Sequence, residues 1–203
     1  MNLTERFLTK FINVASILDY KMISVILIIL AIILVLVFIG LYNRMIELEN
    51  RIDNAASQID VQLKKRADLV PNLVETVKGY AAHEKGILER ITQLRSELVR
   101  TKDIQTRTKI GNQLQDALKS LFAVAENYPT LKANENFLHL QQELSDIEDK
   151  IAYARQYFND TVLAFNNLIE KFPGNIVAKW MGRKEKAYLE VPESDKKIVK
   201  VKF

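Results

Sequence analysis

Hydrophobic residues first form an unbroken run and then, further along the chain, recur every three or four positions. The run covers residues 22–41 and holds 20 residues without a charge; Ser24 is its one clearly polar member. A helix of that length spans about 30 Å, the thickness of a bilayer's hydrocarbon core. The run exceeds the apolar core of a signal peptide, and no cleavage-site pattern of small residues follows it. We therefore predict a transmembrane helix over residues 22–41.

The 21 residues before this run predict either a short interfacial helix or a disordered leader. Apolar side chains recur there at spacings of three and four, with polar side chains largely between them. This pattern is typical of an amphipathic helix that lies on the membrane surface before the chain turns inward. A disordered leader is the alternative, because chain termini are often poorly ordered unless they are tied down.

Downstream of the run, the alternation of threes and fours predicts four amphipathic helices. They cover about residues 42–70, 73–98, 103–127 and 132–172. Pro71 is predicted to end the first of them, since a proline disfavours helical geometry at the residue before it.

The fourth helix shows the pattern most clearly, and Pro173-Gly174 is predicted to end it. Its predicted inward-facing residues are Phe137, Leu140, Leu144, Ile147, Ile151, Ala154, Phe158, Thr161, Phe165, Leu168 and Phe172. The corresponding stripe of the first helix is Leu48, Ile52, Ala55, Ile59 and Gln62. We predict an all-α fold: an N-terminal transmembrane helix followed by a long antiparallel up-down four-helix bundle, which buries four such stripes most simply.

We predict four segments along the chain. They are an amphipathic or disordered leader (1–21), the transmembrane helix (22–41), the bundle (42–178) and a basic, mostly extended tail (179–203). The net charge of +4 lies largely in the tail, which has eight Lys or Arg against four Asp or Glu. A basic segment beside a membrane typically meets anionic lipid, whereas nucleic-acid binding would need a coherent basic face and stacking aromatics. The predicted partner is therefore the lipid bilayer and not a nucleic acid.

An even number of antiparallel helices would return the tail to the membrane. Trp180, Arg183, Lys184 and Lys186 are then candidate membrane-interface residues, because tryptophan suits the headgroup layer and cations face anionic lipid there.

Candidate chemistry is sparse. The chain has no cysteine, and His83-Glu84 lacks the second histidine of a zinc-protease motif because Ile87 stands in its place. Glu84 falls on an apolar stripe, which favours a carboxylate held by a tyrosine, histidine or arginine over a general base. We predict no enzymatic activity, no catalytic residue, no metal and no cofactor.

Two sets of polar residues are candidate interaction surfaces. Arg66, Asp68 and Asn72 flank the predicted corner at Pro71, where Arg66 and Asp68 could pair and Asn72 could cap the second helix. Asn159 and Asn166 lie seven residues apart and so share one stripe, which could bind a partner helix or another copy of the bundle, or be solvated.

Three segments closely resemble the bacterial LemA family. They are residues 54–84 (NAASQIDVQLKKRADLVPNLVETVKGYAAHE), 126–137 (ENYPTLKANENF) and 151–160 (IAYARQYFND), and the likeness extends over about residues 42–203. The resemblance implies an N-terminal membrane helix, a long antiparallel four-helix bundle and a bundle on the cytoplasmic side of the bacterial inner membrane.

The leading functional hypothesis is a non-enzymatic, membrane-anchored helical scaffold that assembles with itself, as a homo-oligomer, or binds a membrane-protein partner. One alternative is a membrane-shaping module in which leader, anchor and basic tail act on lipid. The other is an enzyme or metal protein that uses Glu84 with His83 or His139.

Overall fold

The structure, a computed structural model, describes the backbone of residues 3–81 and 83–190 and the side chains of residues 20–81 and 83–190. The regular elements in those ranges are α1 (Leu3–Lys78), α2 (Lys85–Arg100), α3 (Ile104–Ala125), α4 (Pro129–Lys132), α5 (Glu135–Glu170) and α6 (Gly174–Trp180). The predicted all-α fold is confirmed: a long N-terminal apolar helix is followed by helices that pack on one another.

Helix α1 holds the leader and the apolar run without a break, so the predicted turn between them is wrong. Whether the leader is amphipathic depends on side chains outside the described residues. Between Tyr20 and Lys78, one stretch of α1 is long and apolar enough to cross a membrane. Most apolar side chains of residues 22–39 are 43% to 63% exposed, whereas Met45 is fully buried. An N-terminal apolar helix of this kind suggests membrane anchoring.

Pro71 lies inside α1 and does not end it, contrary to the prediction. A proline inside a helix has no N–H for the carbonyl four residues earlier, which here belongs to Ala67. The Nε–H of Arg95, on α2, donates to that carbonyl oxygen at 3.0 Å. A side chain from the neighbouring helix thus satisfies the carbonyl that the proline leaves without a helical donor, and α1 runs on to Lys78.

The described residues divide into two compact units. One contains the chain up to residue 47 with residues 168–184, and the other contains residues 48–167 with residues 185–190. In the second unit, α2 and α3 form a hairpin through residues 101–103. Asn112 contacts Arg155 at 2.9 Å, and the ring of Phe122 packs edge-on against that of Phe137. The residue number rises from 112 to 122 along α3 while that of the contacting residue on α5 falls from 155 to 137, so α3 and α5 are antiparallel.

The buried residues of α1 and α5 follow the predicted stripes, with shifts of one residue where the helical phase drifts. On α1, Leu63 is buried in place of the predicted Gln62. On α5, the stripe passes from Phe165 to Ile169, so Leu168 is only partly buried. Phe172 lies beyond the end of α5 at Glu170 and is 80% exposed, which corrects its predicted place in the core.

Candidate interaction surfaces

Two asparagines on α5 hold the extended segment that follows α6. The Asn166 side chain donates through Nδ2 to the Lys186 carbonyl at 3.0 Å and accepts from the Lys186 N–H at 2.9 Å. Asn159 does the same with Leu189, at 3.0 Å and 2.9 Å. Each amide thus satisfies both backbone groups of one residue. We call Asn159 and Asn166 the asparagine clamp, and residues 185–190 the docked tail.

The spacing of the clamp matches the spacing of the backbone that it holds. Seven residues of α-helix rise about 10.5 Å, or two turns. Three residues of extended chain cover about 10 Å. Asn159 and Asn166 can therefore bind two residues that are three positions apart, Leu189 and Lys186. The docked tail runs antiparallel to α5.

Other side chains complete the docking. Leu189 is buried, and Gln105 on α3 donates to the Ala187 carbonyl at 3.4 Å. Lys186 Nζ lies 4.0 Å from Glu49 Oε1 on α1. Residues 185–190 form neither helix nor strand, and specific contacts hold them against α1, α3 and α5. Asn159 and Asn166 thus bind the chain's own backbone, which is none of the three predicted alternatives: a partner helix, another copy of the bundle, or solvent.

The predicted corner surface around Pro71 does not form. Asp68 and Asn72 are exposed on the unbroken helix α1, and the Asn72 carbonyl accepts from the Thr76 hydroxyl at 2.8 Å. Asn72 therefore does not cap a helix, since α2 begins at Lys85. Arg66 does not pair with Asp68.

Arg66 lies in the core and binds two other helices. Its guanidinium forms an ion pair with Glu148 of α5 and donates to the carbonyl of Gly111 on α3 at 3.1 Å. A β-carbon at Gly111 would lie 2.6 Å from Leu63 Cδ2, so glycine permits this close approach of α1 and α3. Burial first, and the charge of Arg155 second, lower the pKa of Arg66 to about 10, which leaves it protonated at neutral pH. Arg66 is a structural residue and not part of an exposed surface.

Tyrosines connect the two loops at the end of the bundle where α1 ends. Tyr128 donates to Glu84 Oε1 at 3.1 Å, and Asn134 donates to the Tyr80 hydroxyl at 3.0 Å. Glu84 is half-buried and precedes α2, so it lies in a loop and not on the predicted helical stripe. Its hydrogen bond raises the pKa of Tyr128, as do burial and the carboxylate charge. Of the three predicted kinds of partner for Glu84 (tyrosine, histidine or arginine), the structure shows a tyrosine.

The histidines are exposed. His139 Nδ1 lies 3.9 Å from Glu143 Oε1 on the same helix, and His83 lies in the loop before α2. Within residues 20–81 and 83–190, no group of three His, Asp or Glu side chains could hold a metal ion.

The predicted membrane-interface residues fall on both sides of a tight turn. The ring of Trp180 packs edge-on against Phe38, near the end of the apolar run, with centroids 5.3 Å apart. Gly182, at a φ of 66°, donates to the Lys179 carbonyl, and Arg183 donates to that of Ala178. This pair of bonds ends α6 in the arrangement that favours glycine.

Lys184 is exposed beyond that turn and Arg183 is partly buried. Lys186 belongs to the docked tail and has Glu49 as its partner.

Comparison with known proteins decides the family. The model of the LemA family matches residues 55–203. The chain belongs to the LemA family.

This LemA-family chain is similar to two sets of named proteins. It is 31% identical over 148 residues to Protein LemA of Metamycoplasma hominis, covering 70% of this chain and 66% of that protein. It is 27% identical over 185 residues to Magnetosome protein MamQ of Magnetospirillum gryphiswaldense, covering 78% of this chain and 68% of that one. Magnetosome protein MamQ 2 of Paramagnetospirillum magneticum matches at the same identity and coverage. The chain thus spans about two thirds of the length of these relatives.

The part that matches the LemA family model contains both the asparagine clamp and the docked tail, while the apolar run precedes it. Prediction missed this docking, although the sequence contains one signal for it. Residues 187–191 are largely apolar within a basic segment, and the seven-residue spacing of the asparagines suits an extended backbone.

Proposed function

We propose that this LemA-family protein is a non-enzymatic, membrane-anchored helical scaffold that assembles with itself or binds membrane-protein partners. The observation that carries the proposal is the exposed apolar run at residues 22–41, on a helix whose later residues, such as Met45 and Ile52, are buried. Apolar side chains exposed over about 30 Å of helix need lipid or protein around them. We place the bundle on the cytoplasmic side of the bacterial inner membrane, as the family resemblance implies.

The polar contacts of the bundle support a scaffold more than an enzyme. Glu84 accepts a hydrogen bond from Tyr128, which links two loops. Arg66 forms an ion pair with Glu148, which links two helices. Each of these side chains has a structural explanation. A catalytic base, by contrast, would need access to a substrate proton in a cleft.

Crosslinking within intact membranes tests the proposal. The full chain, with an N-terminal affinity tag, is crosslinked, purified in mild detergent and analysed by mass spectrometry. We expect species heavier than the 23.4 kDa chain, containing a second copy or a membrane protein. The same species should form when Glu84, His83 and His139 are all replaced by glutamine, because a scaffold does not need their chemistry.

Two results contradict the scaffold. One is a chain that stays uncrosslinked at its own mass in the membrane. The other is a folded triple variant that loses its partners, which would favour the enzyme or metal protein that uses Glu84.

A further inference from the structure

The asparagine clamp recognises backbone and not side-chain identity. Four hydrogen bonds join Asn159 and Asn166 to the N–H and carbonyl groups of Leu189 and Lys186. Side-chain selection comes from Leu189, which is buried, and from Lys186, which lies near Glu49. The clamp, together with Glu49, therefore fits an extended peptide that has a basic residue and, three positions later, a leucine.

The docked tail is held by few contacts compared with the helices beneath it. Residues 183–190 form neither helix nor strand, and five of the six side chains in the docked tail are exposed. Segments with few buried apolar contacts open at a small fraction of the free energy of global unfolding. We therefore expect residues 185–190 to leave the clamp more readily than the helices unfold.

We propose that the clamp also accepts residues 185–190 of a second copy, so that exchanged tails link copies in the membrane. This inference rests on the self-assembly in the proposed function and names the surface that performs it. Every copy carries the same clamp and the same docked tail. Each contact that the clamp makes with its own tail can therefore be made with the tail of a second copy. Exchange of an identical element is a low-cost route to association.

Two features favour exchange between copies. The tail follows Gly182, whose positive φ ends α6, so a change of direction in residues 183–185 redirects the tail without unwinding a helix. A membrane anchor also confines copies to one surface. Confinement raises the effective concentration of one copy's tail near another's clamp, where it competes with the intramolecular contact.

Cysteine crosslinking tests the exchange, because the chain contains no cysteine of its own. One full-length copy carries Gln105→Cys and another carries Ala187→Cys, at positions whose side chain and carbonyl are 3.4 Å apart in the structure. The two are co-reconstituted in lipid vesicles and treated with a short bismaleimide. The matched control replaces Gln105→Cys with Ser120→Cys, about 22 Å further along α3.

We expect a covalent dimer of the two variants, at a yield severalfold above the Ser120→Cys control. Asn159→Ala with Asn166→Ala should reduce the yield to the control level. Leu189→Asp should also reduce the yield to the control level. Because Leu189 lies outside the helices, we expect this variant to leave the bundle folded. Circular dichroism checks that each variant is folded.

Three results overturn the exchange. The first is a crosslink that forms when a third variant carries both cysteines in one chain, but not between the two single-cysteine variants. The second is a dimer yield that the clamp and tail variants leave unchanged, and the third is no crosslink in either arrangement. Counting subunits in the same vesicles separates this failure from that of the scaffold. Oligomers without the tail crosslink would refute the exchange and leave the scaffold in place.

Discussion

The Nε–H of Arg95 donates to the Ala67 carbonyl oxygen at 3.0 Å, replacing the helical bond that Pro71 cannot supply. Arg95 belongs to α2 and Ala67 to α1, so this one bond both repairs a helix and joins it to its antiparallel neighbour.

Breaking this contact should cost more when the proline is present. Arg95→Met leaves the buried Ala67 carbonyl unsatisfied and should lower the free energy of unfolding by about 1–3 kcal/mol. In a Pro71→Ala background the backbone bond is restored, so the same change should cost less. Thermal unfolding of the four proteins of the cycle, followed by circular dichroism, should give a coupling of about 0.5–3 kcal/mol. Additive effects would show that Arg95 does not compensate for Pro71.

The ion pair of Arg66 and Glu148 should contribute more to stability than an exposed pair. Glu148→Ala leaves the buried Arg66 charge without its carboxylate, which should cost about 3 kcal/mol, the low end for a buried pair because Glu148 is 23% exposed. The control is Glu47→Ala, which removes an exposed partner of Arg44 and should cost less than about 1 kcal/mol. Equal melting temperatures for the two variants would contradict the buried position of Arg66.

The start of α6 leaves no room for a side chain at Gly174. A β-carbon there would overlap the backbone carbonyl oxygen of Leu168, which cannot rotate away. Gly174→Ala should therefore destabilise the protein by about 1–3 kcal/mol. Gly86→Ala in α2 is the matched control, because nothing lies within 4 Å of its added carbon, and it should change stability by at most about 1 kcal/mol. If both variants melt alike, the turn between α5 and α6 is looser than described.

The contact of Tyr128 with Glu84 predicts a pH effect. Because the hydrogen bond to Glu84 raises the pKa of Tyr128 in the folded protein, its contribution to stability is full below the unfolded-state pKa near 10. That contribution is lost as the pH rises through the folded-state pKa. A difference titration at 295 nm between the chain and its Glu84→Gln variant should show one tyrosine whose pKa moves down. Tyr128→Phe should abolish the difference, and an unchanged titration would mean that the contact is absent in solution.

Local pattern predicted most of the fold. The α5 stripe from Phe137 to Phe165 is buried as its spacing predicts, because alternating threes and fours keep one face inward. The prediction about Pro71 was wrong because its compensation is not local. Arg95 lies 28 residues away along the chain, and nothing in the sequence around Pro71 reports it.

The asparagine spacing singled out Asn159 and Asn166 but could not identify what they bind. That depends on where residues 185–190 return in the fold. Arg66 was misplaced for a related reason: a charged residue near a proline resembles a loop residue, and only packing shows that Glu148 and Gly111 surround it.

We propose that the apolar run of α1 spans the membrane and that the same helix continues beyond it to buried residues. Spin labels at single cysteines from residue 20 to residue 60, in the reconstituted full chain, test it most directly, since the chain has no native cysteine. Within residues 22–41 we expect high accessibility to oxygen and low accessibility to a water-soluble nickel chelate. At Met45 and Ile52, which are buried, both reagents should be excluded. Ready access of the nickel chelate to labels at the centre of the run, near Leu30, would contradict the account.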